Sequence, residues 1–427
     1  MLKTWRMPYG NGTVPVTLPE EQVLAELHGN RVQPIDDIAL ALKAAVEEPI
    51  DSVPLRDFAR PGEKIVMVVS DMSRFWMRQD LVIPHLVDYL LRDCGVAAGD
   101  LTILVANGTH PGGDEKELRT LVTDGVYDRV RVVNHDCLSE DAVRIGTTSF
   151  GTEVKINAIA ARADKVITLG ACTHHVMAGF GGGRKSIVPG IAALSTIRQN
   201  HAWALDKHAL KSNADIGNGK TEGNPFHLDM AEAAGMVKNL FTVNLVMNAE
   251  MKLANIYAGH YLTSWRRGCE RVNEIYRVPV REKADVIVAS CGGFPKDMSL
   301  YQGTKTIDNV ETGLKEGGTL VLVIEAREGG GPEEYFGWIK PLQDGTMEEK
   351  LRTGFTVPGY VFLLNCEQAA RYRVMMLSSV PAETVAPMGL ESYPDWDSLR
   401  ANLDLEGKSI YVIPNGATVV PFVEEEK

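Results

Sequence analysis

Residues 64–70, KIVMVVS, with LTILVA at 101–106 and KVITLG at 165–170, decide the fold. Each is a nearly continuous Val/Ile/Leu run with no alternation of polar and apolar positions. Such a strand is covered on both faces, as in a parallel sheet sandwiched between helices. Amphipathic stretches of helical period separate the runs, for instance LVIPHLVDYLLRDCG at 81–95. Working outward, RVRVV (129–133) and LFTVNLVM (240–247) continue the series. TVPVTLP reads as short strand near the N-terminus, followed by a helix near 36–47.

A second series begins at 284 with ADVIVAS (284–290) and a helix through 300–315. TLVLVIEA (319–326), YVFLL (360–364), RVMMLS (373–378) and KSIYVIP (408–414) follow as strands. The prediction is an α/β fold of two domains, each a mostly parallel sheet flanked by helices. Residues 1–275 are read as the first domain, with 408–427 as a candidate returning segment, and 276–407 as the second. A helix over 262–276 links them, and the hinge falls near 270–283.

The chain has 427 residues, more than one core usually absorbs, which fits two domains. A net charge of -12 argues against nucleic acid or an anionic membrane as partner. An acidic protein that handles an anion must gather Lys and Arg locally. Cys94, Cys137, Cys172, Cys269, Cys291 and Cys366 are scattered without a CxxC spacing, which points to reduced thiols in a cytoplasm. The N-terminus lacks signal-peptide organisation, and no apolar window is long enough for a membrane span.

Ligands of open parallel sheets bind beyond the carboxyl ends of the strands, so the residues that follow each run carry the functional signal. After 64–70 come Asp71, Ser73 and Arg74; after 101–106 comes Asn107-Gly108-Thr109-His110-Pro111. After 165–170 comes the densest stretch, with His174, His175, Gly181-Gly182-Gly183, Arg184 and Lys185. The glycine run with its basic pair reads either as an anion cradle or as a tight turn requiring positive φ. It matches neither GxGxxG nor the P-loop. His110 is a loop histidine and His201 a helix histidine; each alone reads more readily as a surface residue. His174 and His175 are adjacent, so in extended backbone they point opposite ways.

The stretch from His175 through Gly179, Gly181-Gly182-Gly183-Arg184-Lys185, Pro189-Gly190 and Thr196 to Asn200-His201 resembles the signature of the nickel-dependent lactate racemase family. Asp71-x-x-Arg74, Gly108-Thr109-His110, Glu222-Gly-Asn-Pro-Phe-His227 and Pro295 through Tyr301-Gln302 to Lys305 are similar to further family motifs, in order. The resemblance implies a 2-hydroxyacid racemase or epimerase with its active site in an interdomain cleft. It implies a nickel-pincer nucleotide (pyridinium-3,5-bisthiocarboxylate mononucleotide nickel) as cofactor, loaded by dedicated maturation proteins. By position, Lys185 matches the cofactor-tethering lysine and His201 the protein ligand to Ni²⁺. His110 and His175 match the acid/base pair, His175 being ten residues before Lys185. Arg74, Gln302 and Lys305 match substrate contacts, and Asp71 a cofactor contact; Arg184 and Gly181–Gly183 are read with the cofactor.

The chemistry accounts for these residue types. A carboxylate disfavours a carbanion beside it, so removing hydride from C2 is easier than removing a proton. The hydroxyl proton then needs a base, and each enantiomer presents its hydroxyl to a different one, hence two histidines. Arg74 and Lys305 suit a carboxylate. Two positions depart from the family: Pro111 stands where it has a basic residue, and no Trp lies within 355–375. Lactate, a longer 2-hydroxy acid, malate and an aldonic acid therefore all stay open as substrates, as does a monomer or homo-oligomer. The rival readings are a zinc-type hydrolase using His110, His174, His175 and His201, a non-catalytic carrier of the nucleotide, and an NAD-dependent dehydrogenase, which the missing GxGxxG disfavours.

Overall fold

The computed structural model describes residues 1–424. Two compact units divide the chain. One comprises Arg31–Trp203 and Asp215–Ile275; the other comprises Met1–Asn30, Ala204–Ala214 and the chain from Tyr276 onward.

The first unit is built on a six-stranded sheet. Its order is Leu253–His260, Leu240–Met247, Lys165–Cys172, Ile65–Ser70, Leu101–Ala106 and Arg131–Asn134. The last five strands run parallel, and the 253–260 edge strand is antiparallel. The apolar runs become strands because their residues are buried on both faces: Ile65, Met67, Val69, Ile103, Val105, Ile167, Leu169, Phe241, Val243 and Leu245 share one core. Helix Ile83–Arg92 covers that face with Ile83, Leu86, Val87 and Leu90. Helix Ile38–Glu47 begins at Asp37, whose carboxylate accepts the Leu40 N–H at 3.0 Å.

The second unit has its own six-stranded, all-parallel sheet, ordered Glu391–Tyr393, Arg373–Leu377, Leu314–Val323, Ala284–Ser290, Ile410–Ile413 and Val23–Glu26. Here the domain reading is corrected at both ends. The segment 408–424 stays with the second sheet, where 410–413 is an interior strand. Residues 1–30 join it too, because strand 23–26 supplies the edge beside 410–413. The N-terminal hairpin, Leu2–Tyr9 with Gly12–Pro19, then buries Trp5, Met7, Val16 and Leu18 against Val286, Val288, Val321 and Val323. Residues 425–427 of the predicted returning segment lie outside the described residues.

YVFLL is also corrected. It lies inside helix Val357–Arg371, where Tyr360, Val361, Phe362 and Leu363 are buried. Thr356 caps the helix by accepting the Gly359 N–H, and Pro358 sits in the first turn. A short, fully buried apolar run looks the same as strand or helix; the cap decides it. The predicted helix through 300–315 breaks into Leu300–Gly303 and Lys305–Val310, and the next strand starts at Leu314.

No helix among the described residues is long and apolar enough to cross a membrane. All six cysteines are unpaired. Phe241 lies 5.4 Å from Phe58, centroid to centroid, and is fully buried in the first core. Phe241→Ala is expected to destabilise the first unit by about 3–5 kcal/mol, seen as a lower urea midpoint at unchanged slope.

Candidate active site

The first unit's central strands deliver the polar residues to one rim. Strand 65–70 lies between 165–172 and 101–106, and all three run the same way. Asp71, the Asn107–His110 turn and the 173–185 loop therefore emerge at neighbouring carboxyl ends. The loops also pack together: Gly108 donates its N–H to the Gly190 carbonyl at 3.0 Å. Gly108 has φ +56°, which L side chains rarely adopt.

His110 is oriented from behind by Asp71. Its Nδ1 lies 2.5 Å from Asp71 Oδ2, and Ser73 Oγ donates to Asp71 Oδ1 at 2.6 Å. The carboxylate is almost fully buried, and its acidity reflects a contest. Burial pushes its pKa up, but the bonds from His110 and Ser73 and the nearby Arg74 charge outweigh burial and hold it below the ordinary value. Both oxygens of Asp71 thus accept a bond from protein, and Oδ2 orients His110. Arg74 donates to Ser73 Oγ at 3.0 Å.

His174 and His175 form a two-residue strand against Gly179–Phe180 and have different neighbours. His174 Nε2 lies 3.0 Å from Asn273 Oδ1. His175 Nδ1 accepts the Met177 and Ala178 backbone N–H groups at 3.1 and 3.2 Å, and its Nε2 lies 2.7 Å from Lys185 Nζ. The spacing that singled out His175 thus coincides with a direct contact.

The glycine loop is a tight turn. Gly182 and Gly183 have φ of +74° and +51°. A Cβ on Gly182 would meet the Ala171 carbonyl at 2.9 Å, and one on Gly183 the Trp265 ring at 2.9 Å. The Gly181 N–H goes to the Thr173 carbonyl and the Gly183 N–H to Asn244 Oδ1. These glycines let the loop fold tightly onto its own strand. Arg184 packs inside this turn. Its side chain is fully buried, and it donates to the Ala178 carbonyl at 2.7 Å, the Phe180 carbonyl at 2.9 Å and His227 Nδ1 at 2.9 Å. Its guanidinium also lies 3.7 Å over the Trp265 ring. It holds the loop's shape from inside.

His201 ends helix Leu194–His201 and is buried. Its Nδ1 lies 2.9 Å from the Ile197 carbonyl, which can only accept, so Nδ1 carries the proton. Burial, then the nearby Lys185 charge, lowers its pKa to about 3, leaving a neutral ring with its lone pair on Nε2. That is the form in which imidazole binds a metal, with the other nitrogen tied to a carbonyl. The donor set thus fits a group held by one imidazole and one amine. Among the described residues no three His, Cys, Asp or Glu side chains gather as a metal site, so the zinc-type reading finds no protein-only ligand set.

Two positioning residues carried no sequence signal. Trp265, within the linking helix Thr263–Tyr276, donates its Nε1–H to the Gly181 carbonyl at 2.7 Å. Asp229, fully buried, accepts from Thr148, Thr152 and Asn200, tying down the residue before His201. In the second unit, Lys305 donates to Gln302 Oε1 at 3.0 Å and lies 4.2 Å over the Tyr301 ring.

Arg184→Ala is expected to cost about 3–5 kcal/mol, because it strands two buried carbonyls and the His227 nitrogen. The urea midpoint checks it; an unchanged midpoint would make Arg184 a surface-type residue. Acid provides a second test. His201 and His227 are held neutral, each with its pKa lowered to about 3, His227 chiefly by burial and then by Arg184. The unfolded chain binds these protons near pH ~6.5. Stability is therefore full above that value and falls as pH drops toward about 3, by up to ~1.4 kcal/mol per pH unit for each ring. His227→Gln should flatten this slope in urea titrations between pH 7 and 4.

The model of the lactate racemase N-terminal domain matches residues 9–213, and that of the lactate racemase C-terminal domain matches residues 280–421. Lactate racemase of Thermoanaerobacterium thermosaccharolyticum is 32% identical over 343 residues, covering 79% of this chain and 78% of the relative. The enzyme of the same name from Lactiplantibacillus plantarum is 30% identical over 348 residues, with the same coverage. The lactate racemase apoprotein structure from T. thermosaccharolyticum superposes with a TM-score of 0.87 at 30% identity, covering 99% of this chain and 100% of that one. A Thermotoga maritima protein, 18% identical with a TM-score of 0.64 over 93% of this chain, shares the fold. Two family models spanning most of the chain, with relatives similar over four-fifths of it, place this isomerase in the lactate racemase family.

Proposed function

We propose that the protein racemises lactate, or epimerises a short 2-hydroxy acid, at C2. The observation that carries this reading is the 2.7 Å pairing of His175 Nε2 with Lys185 Nζ, on a loop packed against the one that presents His110 on Asp71. One residue set thus offers two imidazoles and an amine, with a neutral buried imidazole, His201, on the helix that follows.

In this reading the cofactor is a nickel-pincer nucleotide. When bound, it would supply a hydride acceptor for C2, the substrate then passing through a planar 2-keto acid. His201 would hold the metal through Nε2, and Lys185 the organic part through its amine. His110 and His175 exchange the hydroxyl proton, one for each enantiomer, which is why neither suffices alone. Arg74 takes the carboxylate as a fork-shaped donor, and Gln302 and Lys305 are assigned to substrate on the family resemblance. Maturation proteins supply the cofactor. The free thiols support a reducing cytoplasm as the compartment.

The variants that test this are His110→Ala and His175→Ala in cofactor-loaded protein. Each should lower racemisation at least about 10²-fold while nickel content stays at the wild-type level. His201→Ala should lose nickel and activity together. Wild-type rates in both acid/base variants would end the two-base reading, and full nickel occupancy in His201→Ala would remove His201 from the ligand set. Chiral chromatography and metal analysis read both.

A further inference from the structure

Two carboxylates meet at the carboxyl rim of the second unit's sheet, where open parallel sheets bind ligands. Asp297 follows strand Ala284–Ser290, and Glu325 follows the neighbouring parallel strand Leu314–Val323. Both close on Gly10, in the turn of the N-terminal hairpin. Gly10 donates its N–H to Asp297 Oδ2 at 2.6 Å, and Glu325 donates its own N–H to the same oxygen at 3.3 Å. The Glu325 carboxyl group packs onto Gly10, and a Cβ at residue 10 would collide with it. Tyr9 senses both groups: burial, then the Glu325 and Asp297 charges, push its hydroxyl pKa up.

Each carboxylate keeps one buried oxygen that bonds to nothing among the described residues. These are Oδ1 of Asp297, a fully buried side chain, and Oε2 of Glu325. Arg327 Nε stands 3.8 Å from Glu325 Oε2, too far for a hydrogen bond, so it offsets one charge only in part. Carboxylate oxygens sealed from water are costly unless something positive meets them. The donor set is hard. Cys291 also lies close enough to feel the Asp297 charge, but burial pushes its pKa up to about 12 and its S–H goes to the Gly303 carbonyl at 3.3 Å. It therefore offers no thiolate to a soft metal.

We propose that Asp297 Oδ1 and Glu325 Oε2 hold a hard divalent cation of the Ca²⁺ type at the rim of the second sheet, separate from the histidine-lined site of the first unit. Ca²⁺ suits the place better than Mg²⁺, because it accepts irregular carboxylate geometry and sheds its water readily, and Asp297 is cut off from solvent. The ion would fasten two loops that already run together. Ala326 donates its N–H to the Asp297 carbonyl at 2.8 Å and Glu328 to the Met298 carbonyl at 2.9 Å, while Leu300 and Tyr301 donate back to the Gly329 and Gly330 carbonyls at 2.9 and 3.2 Å. The ordered segment runs straight into Tyr301, Gln302 and Lys305.

The test uses the full chain without nickel cofactor, stripped with chelator and titrated with CaCl₂ and with MgCl₂ in a calorimeter. One Ca²⁺ per chain is expected, with Kd below about 1 mM and at least about tenfold tighter than Mg²⁺. Ca²⁺ at a hundredfold excess over Kd should raise Tm by about 5 °C. Hydrogen exchange should slow over residues 294–305 and 325–331. Glu325→Gln should weaken Ca²⁺ at least about tenfold, and Asp297→Asn should abolish its binding. If Asp297→Asn fails to fold, Glu325→Gln carries the test, since that side chain is partly exposed. No saturable Ca²⁺ binding up to about 10 mM, or wild-type affinity in Glu325→Gln, overturns the proposal. The readout is binding to unloaded protein, so neither result depends on the racemase reading.

Discussion

A guanidinium sealed from water governs the loop over 174–185. Arg184 has no exposed surface, and its donors go to the Ala178 and Phe180 carbonyls and to His227. A buried charge is tolerated only when its hydrogen bonds are made, so the loop must wrap it in one shape. That shape sets the turn whose N–H groups grip His175, and it puts the next residue, Lys185, against His175. The lysine beside it in sequence can then meet the rim because the arginine faces inward. The positive φ angles at Gly182 and Gly183 and the close approach of the Trp265 ring are conditions of the same wrap.

Around that anchor, protons are placed by fixed donors and acceptors rather than by exposure. Asp71 stays ionised despite burial, because His110 and Ser73 bond to it. His201 and His227 stay neutral because burial and nearby cations oppose their charging. Each ring has one nitrogen committed to a partner of known polarity, which assigns the other.

Much of this was legible in the residues. The runs at 64–70, 101–106, 165–170, 240–247 and 284–290 read as parallel strands because burial on both faces leaves a continuous apolar signature. The rim residues followed from that topology, and the preference for His175 over His174 rested on the resembled family's ten-residue spacing to Lys185. YVFLL failed because five apolar residues carry no period of their own. The placement of 1–30 failed because strand pairing across nearly 390 positions, from Val23 to Ile410, leaves no local mark. The hydrogen bonds of Arg184 and Asp71 within the protein were not legible, because type and spacing do not reveal which way a polar side chain points. Trp265 and Asp229 were missed for the same reason: an orienting residue needs only to reach its partner in space.

The central claim is that these residues interconvert the two hands of a 2-hydroxy acid. The direct measurement is chiral analysis of lactate, malate, a longer 2-hydroxy acid and an aldonic acid, each incubated as a single stereoisomer with wild-type protein loaded with the nickel cofactor. The account predicts that at least one is converted to its C2 stereoisomer, and that starting from either form leads to the same final mixture. Unchanged configuration for all of them, in protein with full nickel content, would contradict it.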